Sequence, residues 1–243
     1  MKTLIIYNCY VEDDNCKFFI KNGLIENEEY DYYFIINDPE LKLDINKKNV
    51  YQINRENTGR DFGAYEFFIN KYKTILSNYD RFIFLNQTLI GPFFPVWYKN
   101  PDWVKIFNDM IDDDCKLSGI SINYTPTPHV QSTIFCTDII GLQLLIENNI
   151  FIDNYFLSKD ETIYQKEIGI STIILNNGYN IKCLLKSEDG IDFKKPVRIK
   201  HLDPWRENWY YGKTPHPYET IFIKTTTPKD IDFNEIIELH KEN

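Results

Sequence analysis

The chain has 243 residues, 43% hydrophobic and 16% aromatic, enough apolar material for one large folded domain and against a disordered chain. Its formal net charge is −9, from 27 Lys and Arg against 36 Asp and Glu, with no basic stripe, which argues against a general nucleic-acid or anionic-membrane binder. No apolar run approaches the roughly 20 residues of a membrane span and no long signal core opens the chain, so the expectation is a cytoplasmic protein without a transmembrane segment.

Thr3 to Tyr7 reads as a short buried first strand, and Asp14 to Asn22 as a helix carrying Phe18, Phe19 and Ile20. Tyr30 to Ile36 is a second apolar run, stopped by Asn37-Asp38-Pro39, and Asn49 to Ile53 a third strand. A polar glycine loop, Asn57-Thr58-Gly59-Arg60-Asp61-Phe62-Gly63, precedes a helix over about Ala64 to Leu76. The fourth strand, Arg81 to Leu85, ends abruptly in Asn86, Gln87 and Thr88. Strands alternating with helices predict an α/β fold with a mostly parallel central sheet flanked by helices.

Gly91-Pro92-Phe93-Phe94-Pro95 breaks the pattern, and Trp103 to Met110 resembles a helix. Leu117 to Tyr124 and Ser132 to Cys136 read as strands on either side of the Thr125-Pro126-Thr127-Pro128-His129 loop. Asp138 caps a helix reaching Asn148. A helix near Lys166 to Asn176 closes at Gly178, and Ile181 to Leu185 follows as a strand. Residues 186–230 are aromatic and irregular, and Asp232 to His240 forms an amphipathic helix. Neither a repeat nor a Gly/Ser linker divides the chain. Five cysteines, odd in number and without Cys-x-x-Cys spacing, read as buried reduced thiols of a reducing compartment.

Ligands of α/β folds sit where the carboxyl ends of strands open into loops. The two loop glycines let backbone N–H groups approach a ligand, and Asn57, Arg60 and Asp61 add polar contacts and a fixed positive charge. Each has a structural alternative. Asp61 fits a helix cap, Asp38 before Pro39 fits a turn, and Asn86 could bond neighbouring backbone. Trp205, Trp209, Tyr210 and Tyr211 either stack on a sugar or base, or pack a loop onto the core. Of the histidines, His129 and His201 are ambiguous, whereas His216 sits rigidly between two prolines.

The order of these motifs resembles the GT-A glycosyltransferases, and in detail the rhamnan synthesis F type and related viral capsid-glycan transferases. The matching segments are Tyr7-Asn8, Asn37-Asp38, Asn57-Thr58-Gly59-Arg60 and Leu85-Asn86-Gln87-Thr88. Gly91-Pro92, His129-Val130-Gln131-Ser132 and the stretch His216 to Lys224 extend the resemblance over about residues 1–224. It implies a single GT-A domain: a nucleotide-binding half (1–95), an acceptor and sugar half with a closing tail (96–230), and a C-terminal helix (231–243). It also implies a hexosyltransferase of polysaccharide biosynthesis that uses a UDP- or dTDP-linked sugar donor and a glycan acceptor, with inversion.

On that resemblance Asp38 and Asn57 fall to the nucleotide, and Arg60, Asn86 and His216 to the diphosphate or sugar. Tyr7, Asn8, Gly59, Asp61, Gln87, Thr88, Gln131 and Lys224 complete the candidate nucleotide- and sugar-binding set. Lys166-Glu167-Ile168-Gly169 resembles the acidic pair before a helix in family 2 glycosyltransferases, whose acidic residue is the acceptor's general base. Glu167 is favoured, with Asp160 and Glu161 as rivals. The family carries a cation-binding carboxylate at the end of the fourth strand, where this chain has Asn86 and Thr88. A hard cation binds neutral amide and hydroxyl groups weakly. Mn²⁺ or Mg²⁺ would then arrive on the donor diphosphate, with Asp38, Asp61 and His216 as candidate ligands, or Arg60 and Lys224 would supply the charge. A non-catalytic nucleotide-sugar or glycan-binding module is the reading from another class. A nucleotidyltransferase needs a basic glycine loop near the first strand, and Asn8-Cys9-Tyr10-Val11-Glu12 does not supply it.

Overall fold

The structure, a computed structural model, describes residues 1–99, 101–198, 202–206, 210–225 and 233–241. The chain opens with β1 (Thr3–Cys9), α1 (Asp14–Asn22), β2 (Tyr30–Ile36), β3 (Val50–Asn54), α2 (Arg60–Lys71) and β4 (Arg81–Asn86). Next come β5 (Leu89–Ile90), α3 (Trp103–Asp109), β6 (Cys115–Gly119), β7 (Ile122–Asn123), β8 (His129–Val130), β9 (Ile134–Asp138) and α4 (Ile139–Glu147). The last part holds α5 (Lys159–Thr162), α6 (Ile168–Asn176), β10 (Asn180–Cys183), α7 (Pro217–Thr220), β11 (Ile223–Lys224) and α8 (Phe233–Lys241).

Seven strands form one mostly parallel sheet in the order β10-β6-β9-β4-β1-β2-β3, flanked by helices. β1 is buried along its whole length between parallel partners β2 and β4, which is why it reads as an unbroken apolar run. β9 alone runs against its neighbours, β4 and β6. Strand order reverses between β1 and β4, and a crevice opens at that point outside the carboxyl ends of the strands.

Each sheet face buries its own apolar layer. One packs Tyr7 and Phe34 against Phe19 of α1, Trp103 and Phe107 of α3, and Phe222. The Trp103 indole, fully inside this layer, donates to the Gly23 carbonyl at 2.8 Å, so its polar edge is satisfied. The other layer packs Phe62, Tyr65 and Phe68 of α2, Leu142 and Leu145 of α4, and Ile170 and Ile174 of α6. All five cysteines are free and buried. Among the described residues no helix is long and apolar enough to cross a membrane.

The structure differs from the sequence reading in four elements. The helix after the glycine loop starts at Arg60, not Ala64, because Gly59 takes φ +73° and turns the chain into it. The strand expected over Leu117 to Tyr124 is split into β6 and β7. The irregular tail contains α7 and β11, and β11 pairs with β5. Lastly, the helix expected near Lys166 begins at Lys159. α5, a π-turn over Ile163–Glu167 and α6 run on as one continuous helical segment. Glu167 therefore lies inside a helix and does not open one, so a helix N-terminus cannot be what stabilises its carboxylate. The expected terminal helix is present as α8, and its predicted first residue, Asp232, is outside the described residues.

Candidate functional site

The parallel pairing of β1 and β4 sets Asn8 opposite Asn86 at the switch point. α2 brings Asp61, in its first turn, between them. One carboxylate oxygen accepts from the Asn8 amide at 2.6 Å and from the Tyr10 hydroxyl, and the other accepts from the Asn86 amide at 2.8 Å. Burial pushes the Asp61 carboxyl above its ordinary range. The hydrogen bonds from Tyr10, Asn86 and Asn8 act against that rise, and the charge of Glu167 adds to it. Burial, then the neighbouring Asp61, raises the Tyr10 hydroxyl well above a free phenol.

The network continues behind the site. Asn37 donates its amide to Asn8, and Arg55 donates to Asn37 at 2.5 Å and to the Thr58 carbonyl and hydroxyl at 2.7 and 2.8 Å. Arg55 is buried, with its guanidinium 5.6 Å from the Phe67 ring and 5.7 Å from the Tyr155 ring. It thus fixes the Asn57–Gly59 turn to the ends of β1 and β2. The turn is close: a Cβ on Gly59 would sit 2.8 Å from the Gly63 Cα.

A cleft of about 490 Å³ opens here, within the range of small-molecule sites. It is lined by Asn57, Arg60, Asp61, Asn86 and Thr88 together with Ser132, Thr133, Lys159, Glu167 and Lys224. Three cations therefore share the cleft with two carboxylates. The Thr133 hydroxyl, buried at its wall, has no hydrogen-bond partner. Glu167 accepts from both the N–H and the hydroxyl of Ser132 through Oε2, while Oε1 lies 3.8 Å from His129 Nε2. The π-turn that carries Glu167 widens the helix at this point, as such turns do at many functional sites.

A second cleft, about 370 Å³, adjoins the first and shares Lys159, Ile163, Glu167 and Lys224 with it. Three of its lining residues, Gln131, Asp203 and Trp205, join Ser121 in a closed polar ring. The Trp205 indole donates to Ser121 at 2.8 Å, Ser121 donates to Gln131 at 2.8 Å, and Gln131 reaches Asp203 at 3.4 Å. The Trp205 backbone N–H returns to Asp203 at 3.1 Å. Glu167 stands in the wall between the two clefts.

Of the residues singled out from sequence, Asn57, Arg60, Asp61, Asn86, Thr88, Glu167 and Lys224 meet in the first cleft. Gln131 lines the second, and Asn8 and Gly59 lie behind the first as its scaffold. Six others are placed elsewhere. Tyr7 is stacked on Phe19 in the core, with ring centroids 4.6 Å apart. Asp38 forms a turn, accepting from the N–H groups of Glu40 and Leu41. Gln87 clamps the β1–α1 connection, accepting from Tyr10 N–H and donating to the Val11 carbonyl, both at 2.7 Å. His216 is exposed and caps α7 by accepting from Tyr218 N–H at 3.1 Å. Glu161 completes a capping box with Ser158, and Asp160 is exposed beside it; neither lines a cleft.

Asp38 and His216 thus do not converge on the cleft as metal ligands. Among the described residues no group of three or more His, Cys, Asp or Glu is placed to hold a metal ion. Asn86 Oδ1 is engaged by the N–H and hydroxyl of Thr88, and Asp61 by three donors, so these oxygens do not fit a resident divalent cation. Trp205 lines the second cleft, Tyr210 packs into the core layer, and Trp209 and His201 are outside the described residues. Sequence reasoning missed Arg55 and Lys159, and named Ser132 only as part of the His129–Ser132 segment. Ser158-x-x-Glu161 is the capping-box pattern and would have located the helix start and Lys159 with it.

No family model matches the sequence. The virulence protein VirA of Vibrio anguillarum is 27% identical over 200 residues, which are 79% of this chain and 59% of that protein; the version from strain ATCC 68554 / 775 gives the same figures. The chain spans about three fifths of the length of the curated relatives it matches. Among solved structures, a glycosyltransferase involved in glycosylation of the major capsid of PBCV-1 aligns over 98% of both chains at 14% identity, with a TM-score of 0.47. The apo form of the glycosyltransferase GlyE of Streptococcus pneumoniae TIGR4 aligns over 74% of this chain and 45% of its own, at 13% identity and a TM-score of 0.42.

Proposed function

We propose that the chain is a glycosyltransferase that moves a sugar from a UDP- or dTDP-linked donor to a glycan hydroxyl with inversion. One observation carries the reading. Glu167 stands in the wall between two clefts, and the first cleft also holds Arg60, Lys159 and Lys224 at the switch point of the sheet. A donor diphosphate in the first cleft meets those cations, which take up the charge that grows on it as it leaves. The acceptor sugar enters the second cleft, whose lining of Asn123, Thr125, Gln131, Asp203 and Arg206 offers polar groups to its hydroxyls.

Glu167 removes the acceptor proton. The freed oxygen bonds to the anomeric carbon on the face away from the diphosphate, and the bond to the diphosphate breaks with its electron pair on the leaving group. Fixed cations do the work that a carboxylate-bound metal does in the family resembled; a Mn²⁺ or Mg²⁺ ion would come with the donor. The neutral Asn86 and Thr88 favour one second reading, a module that binds a nucleotide sugar without turning it over.

The test is release of UDP or dTDP from UDP-glucose, UDP-galactose, UDP-N-acetylglucosamine and dTDP-rhamnose, beside calorimetry with UDP and dTDP. Release supports the transferase, nucleotide binding without release supports the module, and absence of both overturns the two together.

A further inference from the structure

We propose that His129 is the proton partner of Glu167: the proton taken from an acceptor hydroxyl passes through Glu167 to His129 Nε2. The inference rests on the reading of Glu167 as the base. The segment His129-Val130-Gln131-Ser132 holds one carboxyl from two sides. Ser132 donates to Oε2, and His129 faces Oε1 at 3.8 Å. Both parts are fixed to each other, because the Val130 N–H donates at 2.9 Å to Ser171 on α6, the continuation of the helix that carries Glu167.

The ring's tautomer follows from its other nitrogen. His129 Nδ1 lies 2.7 Å from the Thr127 carbonyl, which can only accept, so Nδ1 carries a hydrogen. In the neutral ring Nε2 then holds a lone pair. His129 is 1% exposed, and Nε2 has no hydrogen-bond partner. A separation of 3.8 Å from Glu167 Oε1 is too long for a hydrogen bond. Two lone pairs facing each other across that gap give no structural benefit, yet the pair is built to accept a proton. Once one arrives, imidazolium and carboxylate attract and the hydrogen bond can close.

The step balances. The acceptor oxygen keeps the electron pair that forms the glycosidic bond. Its proton moves to Glu167 Oε1 and then to Nε2, which restores the carboxylate and leaves an imidazolium. After transfer Nε2 hands the proton back to Glu167, which lines both clefts, and from there it passes to solvent. Other charged groups around the pair are Lys159 of α5, Lys224 of β11, Asp203 and Arg206 of the adjoining loop, and Asp61 of α2. Asp203 and Arg206 lie 3.7 Å apart and offset one another. The two lysines oppose a charge on His129, and Glu167 favours it.

The experiment is a pH titration of ¹⁵N-histidine-labelled protein by NMR, with His129→Gln assigning the resonance. We expect the Nδ1–H tautomer in the neutral ring. Glu167→Gln should lower the His129 midpoint, with the His216 and His240 resonances unmoved. Glu167→Asp, which keeps the charge but draws it back, should lower it less. The Nε2–H tautomer, or an unchanged midpoint in Glu167→Gln, overturns the proposal. In turnover, His129→Gln should lower kcat by on the order of tenfold at unchanged donor KM and add nothing to Glu167→Gln, as expected for groups acting as a unit. Additive losses overturn the relay. A coupled titration in a protein that turns over no nucleotide sugar overturns the base assignment and the relay with it, while turnover without coupling overturns the relay alone.

Discussion

Asp61→Asn tests the polar network that shapes the first cleft. The substituted amide keeps one oxygen, which can still accept from Asn8 and Tyr10. Its nitrogen then faces the Asn86 amide nitrogen, which now donates to Asp61 at 2.8 Å. Asn86 cannot turn its oxygen toward the newcomer without breaking two bonds, because that oxygen accepts from the N–H and hydroxyl of Thr88. Two donors are left facing each other, a cost of about 1–3 kcal/mol for an unsatisfied buried group. Urea unfolding should show that loss at pH 7 as a lower midpoint at unchanged slope.

Pairing the change with Asn86→Asp should recover most of the loss, since the new carboxylate accepts from both the new amide and Thr88. The pH dependence has a fixed sign. The folded carboxyl of Asp61 is raised, so as pH climbs above about 4 the unfolded chain ionises first. Stability from this group therefore declines from about pH 4 up to the folded carboxyl's own range and is level above it. Asp61→Asn lacks that part of the decline. A single variant within about 0.5 kcal/mol of the parent at pH 7, or a double variant no more stable than the single, would refute the reasoning.

Arg60→Ala should weaken UDP or dTDP binding by about 1.5–3 kcal/mol, the value of a charge-assisted hydrogen bond, and equal affinity by calorimetry removes Arg60 from the diphosphate site. Glu167→Gln should cut turnover by roughly 10²–10⁴-fold with donor affinity nearly unchanged. Asp160→Asn should leave turnover intact, and loss of activity there would transfer the base assignment. Calorimetry of Mn²⁺ against the free protein should show weak binding or none, and tight binding would return the metal to the protein's own side chains. Gly59→Ala must hold φ +73° and place a methyl 2.8 Å from the Gly63 Cα, so it should cost about 1–2 kcal/mol or more in urea unfolding.

The sheet was legible because its central strands are unbroken apolar runs that stop at turn residues, as at Ile36 before Asn37-Asp38-Pro39. Polar side chains at the ends of β1 and β4 were legible for the same reason, and Asn8 and Asn86 do meet across Asp61. Tyr7 was not a companion of Asn8, and the period of a strand says why: adjacent residues point to opposite faces. Asp38 and Gln87 lie outside the two clefts because their partners are backbone groups of Glu40, Leu41, Tyr10 and Val11, which no side-chain pattern reveals. Glu167 does line the clefts, but it lies inside a helix and not at the start expected of it. Its stabilising donors come from Ser132, distant in sequence, and a π-turn has no local composition that announces it.

The reversed direction of β9 has a practical consequence. Six strands deliver their ends to the cleft edge, while β9 delivers its beginning there, so the segment 129–133 enters the site on its way into the sheet. The other edge of the sheet carries only strand starts and the exit of β9. The exposed Asp112-Asp113-Asp114 turn before β6 sits on that far side. A fluorophore, an affinity peptide or an attachment point for a solid support spliced into this turn would leave both clefts open and face the cleft edge outward.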